Sequence, residues 1–211
     1  GNTALHLAAF GNNKDIVEIL MQNDINLGIK NREGETALEM AKRREKIMER
    51  RMERRMVKIL FGGAMKALHL AATRGDIGTV NTLIGENVDV NEKDILGKTA
   101  LHWAAQYGHI NVVNTLIKNG ANVNEKDDNG KTVLHYGAIR GKIDIVNTLI
   151  KNGAIFNEKD IYGWTELHIA AVNGHINIVN TLIKNDVNVN EKNEDGKTAL
   201  IIAADKGHID T

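Results

Sequence analysis

An all-α repeat solenoid, built from stacked helix-turn-helix units with hairpin loops, is the fold this sequence predicts. Three features lead to it. A unit of 33 residues recurs: residues 97–129, 130–162 and 163–195 all open Gly-x-Thr-x-Leu-His and all carry Val-Asn-Thr-Leu-Ile-Lys-Asn further on. Each unit holds two short stretches of helical apolar spacing, split near the middle by a glycine. Neither stretch reaches the ~12–15 residues an isolated helix needs in water, so neighbours must stack to bury a common core.

The elements follow in order within residues 97–129. Thr99 is placed to N-cap a short helix that carries Leu101, Ala104 and Ala105 on one side. The paired alanines let a second helix approach closely, and Gly108 breaks the chain between the two. That second helix brings Ile110, Val113, Leu116 and Ile117 at helical spacing. It ends where the chain needs a left-handed residue; the equivalent slots hold Asp24, Asn87, Gly120, Gly153 and Asp186, all types that tolerate positive φ. An extended turn, Val-Asn-Glu-Lys-Asp-x-x-Gly, leads into the next unit. Residues 1–33 and 64–96 fit the same register, with Gly1 and Ala64 in the glycine slot, and residues 196–211 make half a unit. Both ends cut into the pattern, as expected of part of a longer chain.

These motifs resemble the ankyrin repeat: Gly-x-Thr-x-Leu-His-x-Ala-Ala, then Gly-His-x-x-Val-Val, then Gly-Ala-x-Val-Asn. The match covers nearly the whole chain outside residues 42–63. One departure is consistent, since the family's proline after Thr is Ala4, Ala37, Ala100, Val133, Glu166 or Ala199 here. Alanine is itself a strong helix former, so the fold does not depend on that proline. The resemblance implies an L-shaped unit of two antiparallel helices and a projecting β-hairpin. It also implies a scaffold without chemistry of its own, binding other proteins through hairpin tips and inner helices, in the cytosol or, for a microbial effector, in a host cytosol.

The unit at residues 34–63 departs most. Glu39 takes the histidine slot, Glu45 the inter-helix glycine slot, and the tetrad Met-Glu-Arg-Arg is duplicated at 48–51 and 52–55. Met48, Met52 and Met56 lie at i, i+4 spacing, and only three residues separate Leu60 from the next unit. The hairpin is missing, and an amphipathic helix over residues 42–60 is expected in its place. That unit reads as a closing cap and Ala64-Met-Lys-Ala-Leu-His as an opening one. The expectation is two blocks, residues 1–63 and 64–211, joined at Gly62-Gly63; stacking straight through the seam is the rival.

Composition bounds function. The 211 residues carry 27 basic and 27 acidic side chains, so a surface basic throughout is excluded. Without cysteine there is no disulfide framework, thiolate site or cysteine nucleophile. No apolar run approaches the ~18 residues that cross a bilayer. Basic charge concentrates in residues 42–58, where nine Lys or Arg meet three Glu. A basic helix with a methionine stripe suits an anionic membrane, nucleic acid or an acidic partner; the plainer reading is a solvated cap helix.

Chemistry-bearing residues follow the repeat. His6, His69, His102, His135 and His168 share one slot, where the resemblance implies a bond to the Thr three residues earlier and a tie to the neighbouring hairpin. His109, His175 and His208 follow the inter-helix glycine, where a polar residue turns the chain. No phosphate-binding glycine loop, dinucleotide motif or His-Glu-x-x-His stands out from the repeat, so no catalytic site, cofactor, metal or small-molecule substrate is expected. By the same resemblance, Asn91, Asn124, Asn157 and Asn190 match asparagines hydroxylated in some ankyrin domains.

Binding residues are sought where otherwise similar units differ. On the hairpin tips these are Ile95, Leu96, Lys98, Asp128, Asn129, Lys131, Ile161, Tyr162 and Trp164; on the first helix they are Trp103, Gln106, Tyr107, Tyr136, Ile139, Arg140, Ile169, Val172 and Asn173. The binding set taken from them is Ile95, Leu96, Trp103, Gln106, Tyr107, Tyr136, Ile139, Arg140, Ile161, Tyr162, Trp164 and Val172. The framework requires none of these types, and exposed aromatics on a rigid face make binding hot spots. Partial burial of Trp103 and Tyr136 between units is the competing explanation for those two. The function expected is a non-catalytic scaffold for a protein or extended peptide; the alternative is an electrostatic tether to membrane or nucleic acid through helix 42–60.

Overall fold

A computed structural model describes residues 3–10, 16, 17, 19, 20, 26–47 and 53–208, and within its helices the side chains of 10, 43–47, 53–61 and 65 are left aside. The described helices are α1 (Ala4–Phe10), α2 (Ala37–Ile47), α3 (Glu53–Arg74), α4 (Ile77–Gly85), α5 (Ala100–Tyr107), α6 (Ile110–Lys118), α7 (Val133–Arg140), α8 (Ile143–Lys151), α9 (Glu166–Val172), α10 (Ile176–Lys184) and α11 (Ala199–Asp205). Two compact units contain them: Gly1–Ala71 with Gly78–Asp89, and Ala72–Ile77 with Val90–Thr211.

This division differs from the expected blocks 1–63 and 64–211. Gly62 and Gly63 lie inside α3, and residues 64–71 and 78–89 belong to the first unit. The physical reason is local. With no hairpin after Leu60 and no Ser, Thr, Asp or Asn to cap a new start before Lys66, nothing interrupts the helix. In the first unit Leu5, Ala8, Ala9, Val17, Ala37, Leu38, Met40 and Ala41 form the core. Lys42 Nζ donates to Glu86 O at 2.9 Å, and Thr36 Oγ1 donates to Glu86 Oε1 at 3.1 Å. The helix expected over 42–60 is helical at 42–47 and 53–60; residues 48–52, with Met48, Met52, Arg50 and Arg51, lie outside the described residues.

The second unit repeats one solution. Val113, Leu116, Ala104 and Ala105 are wholly buried, as are Val146, Leu149 and Ala138 one unit later. Its second helices end on residues of positive φ at Gly120, Gly153 and Asp186, as does that of the first unit at Asn87, where the slots predicted them; Asp24 lies outside the described residues. The slot histidines of the second unit, His102, His135 and His168, are fully buried and each makes two connections. Thr99 N–H donates to His102 Nδ1 at 3.1 Å, and His102 Nε2 meets Glu125 O at 3.1 Å. His135 Nε2 likewise reaches Trp164 O, and His168 Nε2 reaches Lys197 O, both at 3.1 Å. Because a backbone N–H only donates and a carbonyl only accepts, the proton sits on Nε2.

The second histidine set also staples repeats. His109 Nε2 meets Thr73 O at 2.9 Å, His175 Nε2 meets Ile139 O at 3.2 Å and His208 Nε2 meets Val172 O at 3.1 Å. Each ring closes off the carbonyl end of the preceding first helix, lying so tightly that a Cβ on Gly141 would stand 2.7 Å from His175 Cε1. The hairpins form no named strand among the described residues; one isolated antiparallel bridge joins Lys126 and Thr132. Their rigidity comes from side chains. Asn91 Nδ2 donates to Gly120 O at 3.0 Å while Asn91 Oδ1 accepts from Asn122 N–H at 2.7 Å, and Asn124 repeats this with Gly153 and Ile155.

Candidate functional site

The candidate face of the second unit is built around one aspartate in each of three successive hairpins, Asp94, Asp127 and Asp160. Asp94 Oδ1 accepts the N–H groups of Leu96 and Lys98, at 2.8 and 2.9 Å; Asp127 does the same for Asn129 and Lys131, and Asp160 for Tyr162 and Trp164. Each closes a turn of the kind short acidic side chains favour. The second oxygen is left over, and its partner differs in every unit. Asp94 Oδ2 accepts from Trp103 Nε1 at 2.8 Å, and Asp127 Oδ2 accepts from the Tyr136 hydroxyl at 2.6 Å. The equivalent residue in the next unit is Ile169, which has no donor, so Asp160 Oδ2 takes Lys131 Nζ at 2.5 Å instead. Burial pushes the Asp160 pKa up, but the Lys131 ammonium and the N–H groups of Trp164 and Tyr162 together outweigh it and bring the pKa down.

This rule sorts the predicted residues. Tyr136 is corrected: it is 5% exposed, its hydroxyl is spent on Asp127, and it is a core residue rather than part of a binding surface. Burial and the Asp127 carboxylate both raise its pKa. Trp103 is half-buried, its indole held by Asp94 and stacked on Tyr107 with centroids 6.2 Å apart. Lys98 lies buried with Nζ 4.2 Å from the Trp103 centroid and 4.5 Å from that of Tyr136, donating to Gln106 Oε1 at 3.0 Å. Burial lowers its pKa, opposed by the carboxylates of Asp127 and Asp94. Tyr107 stays exposed, with the Arg140 guanidinium 5.8 Å from its centroid and Arg140 Nε bonded to Gln106 O at 3.0 Å.

Four of the predicted residues come together. Ile139, Tyr162, Trp164 and Val172 line an open groove of about 390 Å³ with Lys131, Asp160, Ile169 and Asn173. Ile139 and Val172 contribute aliphatic lining, Tyr162 and Trp164 aromatic lining, and the Lys131–Asp160 pair its charges. Ile95, Leu96 and Ile161 stand apart on the hairpin tips, exposed to 95%, 48% and 55%. Lys131, Ile169 and Asn173 stand among the variable slots, and Asp160 is the participant those slots leave out. A signal for it exists: an acid nine residues before the first-helix slot joins Asp94 to Trp103 and Asp127 to Tyr136, whereas at Asp160 the slot holds Ile169.

A second departure sits beneath the hairpin of residues 154–165. Asn124 and Asn190 N–H donate to Asn122 and Asn188 Oδ1, at 3.0 and 3.1 Å. Ile155 replaces that asparagine, and Asn157 N–H donates instead to Glu166 Oε1 at 2.8 Å, with Asn157 at φ 61. Glu166 is 1% exposed, its Oε2 has no partner among the described residues, and burial raises its pKa. Asn157 Oδ1 still accepts from Asn188 N–H, at 3.1 Å.

Among the described residues, no group of three His, Cys, Asp or Glu is placed to hold a metal ion. No described helix is long and apolar enough to cross a membrane. The side chains of the basic segment 43–58 lie outside the described ones. A family model for ankyrin repeats (three copies) matches residues 1–66, 68–160 and 155–211. A search among curated proteins finds no match. With the Thr–His capping pairs, the inter-helix glycines and the acid-closed turns repeating every 33 residues beneath that match, the chain belongs to the ankyrin-repeat family.

Proposed function

We propose that this chain is a non-catalytic cytosolic scaffold that holds a protein or extended peptide along the hairpin tips and first-helix face of its second unit. Ankyrin repeats are in general protein-interaction modules. The observation carrying the finer reading is the groove of Ile139, Tyr162, Trp164 and Val172. The fold asks for none of these side chains: the turn is made by Asp160, and equivalent slots accept Lys131, Asp205 and Asn129. Apolar and aromatic surface on a rigid support is what hot spots are made of, because little ordering entropy is lost on binding.

A pull-down from cytosolic lysate tests this at low and physiological salt. The baits are the native chain, an Ile139→Ser/Trp164→Ala variant, and a variant with Arg50, Arg51, Arg54 and Arg55 changed to Gln. Trp103 and Tyr136 are left intact because their donors satisfy the half-buried Asp94 and the buried Asp127. Capture at both salts, lost only with the groove variant, is expected. Capture that disappears at physiological salt and with the arginine variant would transfer the function to residues 42–60, as a salt-sensitive tether.

A further inference from the structure

We propose that the hairpin tips of the second unit bind an extended partner segment in which apolar and basic residues alternate at every third position. This rests on the protein-binding reading and specifies the partner. Along the row the tips read Ile95-Leu96, Asp128-Asn129, Ile161-Tyr162 and Glu194-Asp195: apolar, acidic, apolar, acidic. All eight side chains are exposed. The turn does not dictate the alternation, because every tip closes with the same backbone bond. Gly97 N–H reaches Asp94 O at 3.0 Å, and Gly130, Gly163 and Gly196 reach Asp127, Asp160 and Asn193 at 2.9 Å.

The row is pre-organised. Asp128 N–H donates to Leu96 O at 3.1 Å, Ile161 N–H to Asn129 O at 3.0 Å and Glu194 N–H to Tyr162 O at 3.1 Å, so each tip is tied to the one before. Lower down the same hairpins, Lys93 pairs with Glu125, Lys126 with Glu158 and Lys159 with Glu191. Those pairs engage Lys93, Lys126 and Lys159 of the stems. The carboxylates of Asp128 and Glu194 have no ion-pair partner among the described residues, while Asp195 has Asn193 Nδ2 at 3.5 Å and the charge of Lys197, which itself pairs with Asp205. Unneutralised acids between apolar tips call for cations between apolar anchors.

Spacing selects the partner's conformation. Stacked helices lie on the order of 10 Å apart, and the tips inherit that step. A polyproline-type segment rises about 3.1 Å per residue with three residues per turn, so every third side chain returns to one face after about 9 Å. A β-strand places its third residue on the opposite face. An aromatic-lined groove beside the row, with Tyr162 and Trp164 in its lining, is the kind of surface on which such segments dock.

The test uses a synthetic peptide in which leucine and arginine alternate at every third position with proline between them, titrated by fluorescence anisotropy. Binding is expected, weakened about tenfold or more by Asp128→Lys, by paired Ile95→Ser and Ile161→Ser, and by glutamate in place of the peptide's arginines. Circular dichroism melts of these surface variants check that they remain folded. No binding, or binding indifferent to tip and peptide charge, overturns the inference. In parallel, an unbiased displayed-peptide selection is run on the native chain. Enriched peptides that lack the alternation and depend on Trp164 overturn the inference while leaving the protein-binding reading standing; no enrichment at all counts against both.

Discussion

Acid should loosen the second unit, and His102 shows by how much. Burial holds its pKa at about 4 rather than 6.5, against the opposing pull of Asp127. Geometry gives the same direction, because Nδ1 already accepts from Thr99 N–H and Nε2 already donates to Glu125 O. A proton added at Nδ1 would face a donor. The unfolded chain takes up that proton near 6.5 and the folded chain does not, so stability is present above 6.5 and lost as pH falls from there towards 4. The full gap corresponds to about 3 kcal/mol at roughly 1.4 kcal/mol per tenfold change. Between pH 7.5 and pH 5, His102 alone should remove about 2 kcal/mol. His135 and His168 are lowered for the same first cause and add in the same sense. Urea unfolding at the two pH values reads the sum, and NMR titration of the His102 ring reads the cause. An unfolding free energy unchanged between pH 7.5 and pH 5, or a ring that titrates near 6.5, would refute the reasoning.

Three further outcomes follow from named contacts. Glu166→Gln keeps an acceptor for Asn157 N–H and removes a buried carboxyl whose pKa is raised; since that carboxyl costs stability as pH rises through its folded value, the variant should compare better with the native chain at pH 8 than at pH 5 in urea melts. Tyr136→Phe strips Asp127 Oδ2 of its donor in a buried setting and should cost about 1–3 kcal/mol, read as a shift in urea midpoint. Gly163→Ala and Gly196→Ala form a matched pair at φ 73 and φ 72. The second meets open space and should cost only the left-handed penalty of about 1 kcal/mol, whereas the first puts a Cβ 2.8 Å from Glu194 N and should cost visibly more. Equal costs would mean that the tip-to-tip contact is slack.

Most of the fold was legible because a repeat states its own rules several times. Asn87, Gly120, Gly153 and Asp186 announced their left-handed turns by residue type alone, and paired alanines at 104 and 105 announced a close helix approach. The continuity of α3 through Gly62-Gly63 was not legible, since two adjacent glycines look like a joint while the missing N-cap that lets the helix run on is only an absence. The candidate site was half legible. Variable slots led to Tyr162, Trp164, Ile139 and Val172, but the same logic swept in Tyr136, because a tyrosine that differs from its neighbours looks alike whether its hydroxyl serves a partner or a buried acid. The inter-helix histidines were read as turn residues, and their bonds to Thr73, Ile139 and Val172 need the neighbouring repeat in place to be seen.

The groove exists where a donor is missing, and that makes it removable. In two successive units an aromatic donor from the first helix reaches back to the turn acid, Trp103 to Asp94 and Tyr136 to Asp127, and fills the space between helix and hairpin. Ile169 breaks the series. It is shorter, it leaves Asp160 to Lys131, and it forms part of the groove that opens at that unit. Ile169→Tyr should therefore restore the series: its hydroxyl would reach Asp160 Oδ2 as that of Tyr136 reaches Asp127, and its ring would occupy the groove. The fold already accommodates this arrangement one unit earlier, so stability should change by no more than about 1 kcal/mol, while binding through Trp164 and Tyr162 should be lost. Unaltered binding in a folded variant would mean that the groove is not the contact. Loss of folding would mean that the interchangeability of the three slots is only apparent.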